Sequence, residues 1–229
     1  MLNPLAGEPV KITGEVYQVG GTGLTSGEDA SVYLVNFGGH AALVDAGCGH
    51  GEDKLLENIY SCGVSPEQIE YLLITHCHFD HTGGARSLKE RIGLKIVAHE
   101  LDARFLEAGD NSVTGAGWYG ASIRPFIVDI KISDPREKIM LGGRPIEMIH
   151  MPGHSPGSVV YLIESEGLRI VFAQDVHGPI HPLLLSNRED YIKSLGYLLS
   201  LRCHILCEGH FGIYRGKREV ARFIESFLS

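Results

Sequence analysis

The sequence predicts a layered α/β chain in which two mixed β-sheets pack together and helices cover their outer faces. Three observations predict it. Strand-length runs rich in branched and aromatic residues arrive in adjacent groups ahead of helices, not in the strict alternation of a βα barrel. The second half of the chain repeats the rhythm of the first at similar length. No linker or low-complexity stretch separates the halves, so residues 1–229 read as one domain, long enough to bury roughly 70% of its unfolded surface.

The opening meander is expected at Glu15–Val19, Ser31–Phe37 and Ala41–Asp45, because glycine clusters punctuate these runs. A helix follows at Glu52–Cys62, where Leu55, Leu56 and Ile59 recur at helical spacing; a capped turn, Ser65-Pro66-Glu67, then leads into a buried strand at Tyr71–Thr75. Beyond it come a helix at Gly84–Arg91, a strand at Lys95–Ala98, a helix at Leu101–Ala108 and a glycine-rich loop, Gly109–Gly120, carrying Trp118 and Tyr119. The second half reads as strands near Phe126–Ile130, Ile139–Leu141, Ile146–Met151, Val159–Glu164 and Arg169–Ala173. A helix at Arg188–Leu201, a short strand at His204–Leu206 and a closing amphipathic helix at Arg218–Leu228 complete it.

Composition narrows the function. With 44% hydrophobic and 21% charged residues the chain is neither disordered nor collagen-like. The balance of 20 Lys and Arg against 28 Asp and Glu gives a net charge of −8, which leaves no basic surplus for a phosphate backbone, so no nucleic-acid partner is expected. No apolar run approaches the roughly 20 residues that span a bilayer, and Met1–Leu5 lacks the basic and apolar regions of a leader. A soluble, cytoplasmic protein with no membrane partner is expected. Five irregularly spaced cysteines suit a reducing compartment, and Cys203 and Cys207, in an apolar stretch, read as core thiols rather than a zinc knuckle.

Histidine is the informative residue. Directly after the strand ending at Thr75 the chain reads His76-Cys77-His78-Phe79-Asp80-His81-Thr82-Gly83-Gly84, three imidazoles and a carboxylate within six residues. Imidazole and carboxylate are metal donors, and a loop leaving a rigid strand can aim His76 and His78 at one point and Asp80 and His81 at another. A pair of metals is the natural inference. His154 in Gly153-His154-Ser155-Pro156-Gly157, Asp175 after Val171-Phe172-Ala173-Gln174, and His210 in Glu208-Gly209-His210-Phe211-Gly212 stand at further strand ends and complete the donor count two metals require.

The series His76-x-His78-x-Asp80-His81, then His154, Asp175 and His210, resembles the metallo-β-lactamase superfamily of binuclear hydrolases over nearly the whole chain. The resemblance implies an αββα sandwich. It also implies that His76, His78 and His154 hold one divalent metal ion, that Asp80, His81 and His210 hold the other, and that Asp175 bridges them. Zinc is the expected metal, and the same donors accept iron or manganese. Asp45, in Leu43-Val44-Asp45-Ala46-Gly47, resembles the early aspartate of that family and is expected to orient a ligand. Two divalent ions less two carboxylates and a hydroxide leave a single positive charge, which favours an anionic small-molecule substrate. Metal-activated water would attack a carbonyl, with Asp80 as the catalytic residue that orients the nucleophile or relays its proton.

Departures from subfamilies sharpen this. The bridging position is Asp175 and not the cysteine of one major β-lactamase group, RNA-processing members carry larger insertions, and flavodiiron proteins have an acidic residue where this chain has His78. The remaining resemblance is to the glyoxalase II-like group, which implies hydrolysis of a thioester, ester or lactone. The chain ends soon after His210, without the helical region that grips glutathione in full-length glyoxalase II, so a shorter acyl thioester or a lactone is equally expected. The first alternative is a persulfide dioxygenase binding one iron through His76 or His78, His154 and Asp175, and the second, less expected, is a β-lactam hydrolase.

Two motif matches are set aside. Gly153-His154-Ser155-Pro156-Gly157 fits G-x-S-x-G, but a strand follows where a nucleophile elbow needs a helix. The run Gly20–Gly27 has no P-loop lysine and is expected to be a flexible active-site hairpin. Trp118, Tyr119, His177, and Gly178–Ser186 with Leu183, Leu184 and Leu185 are candidate contacts to substrate or to another subunit; oligomeric state is open.

Overall fold

The structure is a computed structural model describing residues 7–173 and 175–228; Met1–Leu5, on which the absence of a leader was read, and Gln174 lie outside these residues. Among the described residues one sheet holds, in spatial order, β1 (Val10–Lys11), β2 (Val16–Gly20), β3 (Val32–Phe37), β4 (His40–Val44), β5 (Ile69–Leu73), β6 (Lys95–His99) and β7 (Ile130–Ile132). It is antiparallel from β1 to β4 and parallel from β4 to β7. The second sheet holds β8 (Arg136–Leu141), β9 (Arg144–His150), β10 (Val159–Ser165), β11 (Leu168–Phe172), β12 (Ile205–Cys207) and β13 (Ile213–Arg215), in the spatial order β13-β12-β11-β10-β9-β8. Only its β11–β12 pair is parallel. Helices α1 (Glu52–Ser61), α2 (Phe79–Thr82), α3 (Ala85–Ile92) and α4 (Glu100–Ala108) follow strands of the first half, and α5 (Arg188–Ser200) and α6 (Lys217–Glu225) belong to the second.

The period of two along each strand assigns its side chains to layers. On β3, Val32 and Leu34 face α1, α3 and α4, joining Leu55, Ile59, Leu88 and Leu106; Tyr33 and Val35 point the other way, into the space between the sheets. On β10, Val159, Tyr161 and Ile163 meet them there, while Val160 and Leu162 turn outward to Leu195 and Leu198 of α5 and Ile224 of α6. Three apolar layers therefore separate four layers of structure, an αββα sandwich. Asn187 caps α5 by accepting hydrogen bonds from the backbone N–H groups of Glu189 and Asp190.

Several expected boundaries move, and each shift has a local cause. The strand expected at Tyr71–Thr75 is Ile69–Leu73, because beyond Leu73 the ladder dissolves: Thr75 N–H donates to Asp45 Oδ1 at 2.8 Å instead of to a strand. The strand expected at Phe126–Ile130 begins only at Ile130. Phe126 and Val128 are buried alternately as a strand would have them, but the Asp129 carboxylate accepts from Ile96 N–H at 2.8 Å, a place in the ladder. The short edge strands β1 and β13 and the single helical turn α2 were not expected. Cys203 and Cys207 are buried in separate apolar layers, as expected of core thiols, and all five cysteines are free. No helix among the described residues is long and apolar enough to cross a membrane.

Candidate metal centre

All seven predicted donors converge where strands of the two sheets end. One group comprises His76, His78, His154 and Asp175, another Asp80, His81, Asp175 and His210, and within each group the donor atoms lie within 4.8 Å of one another. Asp175 is common to both. Helix α2 explains how six consecutive residues serve two groups: His78 is still extended, at φ −67° and ψ 150°, and the chain then coils, turning Asp80 and His81 away. Thr82 Oγ1 donates to His78 O at 2.8 Å and Phe79 N–H to Thr114 O at 2.8 Å, which fixes the turn. The final donor needs a bare backbone beside it, because a Cβ on Gly209 would stand 2.2 Å from Asp175 Oδ1.

The hydrogen bonds behind the rings set their tautomers. His154 Nδ1 meets the carbonyl of Pro179 at 2.9 Å, so it carries a proton and Nε2 presents a lone pair. Thr75 Oγ1 donates to Asp45 Oδ2 at 2.7 Å, which leaves its oxygen to accept from His76 Nδ1 at 3.0 Å, and His76 Nε2 is likewise a lone pair. The two Nε2 atoms face each other at 3.2 Å, both rings fully buried. Two lone pairs so placed repel unless a cation lies between them, and nitrogens about 2.0–2.1 Å from a tetrahedral ion stand about 3.3 Å apart. His78 Nε2 is also buried without a hydrogen-bond partner among the described residues, a costly arrangement for a site without a cation, and His81 Nε2 faces Asp175 Oδ1 at 3.2 Å. These residues fit a metal.

Asp45 lies just beyond β4 at φ 62°, a left-handed conformation in which aspartate is among the better-tolerated residues. Its carboxylate accepts from Thr75 and, at 2.7 Å, from His81 Nδ1, so it orients His81 directly and His76 through Thr75. Asp102, on α4, was not recognised from sequence. Buried at its centre, it accepts from Cys77 N–H at 2.9 Å, Ser155 Oγ at 2.5 Å and Gly157 N–H at 2.6 Å, joining the loop of His76 and His78 to that of His154. An aspartate beside the core residues Ala103 and Leu106 on one helix face was the available signal. Glu208, also fully buried, pairs with His177 Nδ1 at 2.8 Å and accepts from the backbone N–H groups of His210 and Phe211. Ser155 is a buried donor to Asp102, in keeping with its exclusion as a nucleophile.

Charge divides the site. Burial, then the neighbouring His81 ring, holds the His76 imidazole well below its ordinary pKa, and burial, then His154, does the same for His78. Burial alone would lower His81 as well, but Asp175, Asp45 and Asp80 outweigh it and hold that ring well above its ordinary value. Burial is likewise overcome at His210, where hydrogen bonds to Asp175 and Asp80 push the ring up to about 10. The second group therefore demands positive charge.

The donors open into a cavity of about 210 Å³ whose walls include Trp118, Tyr119, His177 and Leu184, so those expected contacts do reach the site. The Gly20–Gly27 run does not. Its expected role as an active-site hairpin is corrected to one behind the site, where Thr25 Oγ1 holds Asp29 at 2.5 Å and Ala30 N–H donates to Asp80 O at 3.2 Å. A larger groove of about 650 Å³ beside α1 contains none of the donors.

The sequence model of the Metallo-beta-lactamase superfamily matches residues 26–210. The chain belongs to that superfamily. It is accordingly a metal-dependent hydrolase. It is 27% identical over 234 residues to an acyl-coenzyme A thioesterase of Homo sapiens, covering 89% of this chain and 80% of that protein. It is 32% identical over 139 residues to a hydroxyacylglutathione hydrolase of Haemophilus influenzae, covering 60% of this chain and 61% of the other. Among solved structures, a class B3 di-zinc metallo-beta-lactamase from an Alaskan soil metagenome superposes with a TM-score of 0.78 at 26% identity, covering 97% of this chain and 90% of its own.

Proposed function

We propose that the chain holds two divalent metal ions, zinc foremost, and hydrolyses a thioester, ester or lactone carbonyl. The observation that carries this reading is the head-to-head pair of buried lone pairs on His76 and His154, 3.2 Å apart, beside a carboxylate shared with a second donor group. His76, His78 and His154 would hold one ion, Asp80, His81 and His210 the other, and Asp175 both. Bound there, divalent ions lower the pKa of water toward about 7 and polarise a carbonyl oxygen.

The protein's own groups supply the rest. Asp80, buried with Oδ2 3.0 Å from His210 Nε2, lines the cavity and orients the attacking water through a carboxylate oxygen. Asp45 and the Pro179 carbonyl keep His81 and His154 in the tautomers that present Nε2. The Tyr119 hydroxyl, within hydrogen-bonding reach of Asp80, keeps its proton: burial and then the Asp80 carboxylate raise its pKa. The thioesterase and hydroxyacylglutathione hydrolase relatives support a thioester as the first substrate to try.

Metal analysis of protein purified without chelators, paired with hydrolysis of simple thioesters, tests the reading. About two equivalents of zinc with turnover are expected. One equivalent of iron with oxygen consumption on a persulfide would overturn it.

A further inference from the structure

The metal donors occupy one end of the cavity, and the remaining wall has a different chemistry. It is built from two loops, one in each half of the chain: Thr114, Gly115, Trp118 and Tyr119 from the first, His177, Pro179 and Leu184 from the second. The loops pack on each other. Leu184 is buried, and its Cδ2 lies 3.5 Å from where a Cβ on Gly115 would stand, a position at φ 67° that also touches the Trp118 ring. Trp118 meets His181 edge-on with centroids 5.5 Å apart, and Tyr119 packs against Phe79 at 5.7 Å. Near the opposite side, Phe211 stacks obliquely on His177 at 4.6 Å. Trp118, which lines the cavity, remains 55% exposed, and Phe211, packed on the lining residue His177, 58%. None of the described residues lining the cavity is a lysine or arginine.

We propose that this cavity is an acyl pocket that selects a short apolar, uncharged acyl group larger than acetyl, with Trp118 and Leu184 as its specificity-determining residues. The proposal rests on the hydrolase reading above. The volume sets a ceiling on length: about 210 Å³ accommodates about seven groups the size of water, and the donor end is shared with the ions and the reacting carbonyl. Polarity follows from the wall, since a carboxylate at the far end of the acyl chain would lose its water and meet no cation. The positive charge expected from the metals lies at the donor end, where it serves the carbonyl oxygen, so an anion is favoured at the reacting bond only. Succinyl-type acyl groups, and substrates that must anchor a carboxylate deep in the cavity, are disfavoured.

Two measurements test this separately from hydrolysis itself. Trp118 is the only tryptophan in the chain, so its emission reports the pocket directly. Titrating the purified protein with hexanoamide should give a saturable blue shift that acetamide and succinamate do not give; no shift with hexanoamide would overturn the pocket. The second is kcat/KM for acetyl, butyryl, hexanoyl and succinyl thioesters of one neutral thiol, N-acetylcysteamine. Burial of each methylene is worth up to about fourfold. Hexanoyl should exceed acetyl by at least about tenfold and succinyl should fall at least about tenfold below butyryl. The hexanoyl-to-acetyl ratio should drop toward one in Trp118→Ala and, independently, in Leu184→Ala. Equal turnover of all four overturns the acyl pocket and leaves the hydrolase reading standing. Saturable hexanoamide binding without turnover of any thioester overturns the thioester as substrate and supports the pocket.

Discussion

The two donor groups that share Asp175 are built to different specifications. His76, His78 and His154 are all buried, and Asp102 ties their two loops together through three short hydrogen bonds. Asp80, His81 and His210 include a carboxylate, and His210 keeps 29% of its side chain exposed on a loop held by Glu208. The three histidines of one group are neutral imidazoles that reach the cavity only through His78; the other group is charged and lines the cavity with Asp80 and His210. The difference teaches a division of labour. The first group is braced from behind by Asp102, whereas the second includes a ring that is partly exposed.

The largest test removes the shared member. Asp175→Ala is expected to abolish turnover and lower metal content at both groups, measured by elemental analysis, while circular dichroism stays near that of the parent. Loss of only one ion would mean that the groups are not joined through this carboxylate. Asp102→Ala should act on the first group alone: competition with a chromogenic chelator should show affinity for one ion falling about 10–100-fold, as for other groups that orient metal ligands, with the second ion unchanged. His210→Ala is the converse, expected to leave one tightly held equivalent and to shift the other within reach of mild chelation.

The smallest expected effect is one of pH. His99 begins α4, the helix that carries Asp102, and stacks on His150 with centroids 3.9 Å apart; burial and then His150 push its imidazole down to about 4. Because the folded pKa lies below the unfolded value of about 6.5, the unfolded chain binds the proton first. The contribution is complete above about pH 6.5 and is lost as pH falls toward 4. His99→Asn, which keeps a capping side chain, should therefore lose less stability than the parent between pH 7 and pH 5 in urea titrations. Identical slopes would remove His99 from the account.

What could be read from the sequence, and what could not, follows the same division. His76, His78, Asp80 and His81 announce themselves because they are nearly consecutive, and His154, Asp175 and His210 because each stands where a strand gives way to loop. The layered fold was legible because β3 and β10 are near-continuous runs of branched and aromatic residues, and both strands are buried on both faces. Asp102 and Glu208 were not legible as supports. A single buried carboxylate carries no periodicity, and two of the three partners of each are backbone N–H groups that any sequence has. Phe126–Ile130 misled for the opposite reason: its alternation reflects burial of Phe126 and Val128, while the hydrogen-bond ladder that defines a strand starts at Ile130. Strands of two or three residues, such as β1 and β13, fall below the length at which alternation can be recognised at all.

Each sheet comes from one contiguous half of the chain, residues 10–132 for the first and 136–215 for the second. The donors divide the same way, four before residue 132 and His154, Asp175 and His210 after it. An ion held by both halves is therefore a mass-action clamp, since the unfolded chain has no such arrangement to offer it. At a free metal concentration a thousandfold above Kd, each ion would add about 4 kcal/mol to folding, comparable with much of a domain's net stability. Loss of metal would then be read in the stability of the folded protein as well as in its activity.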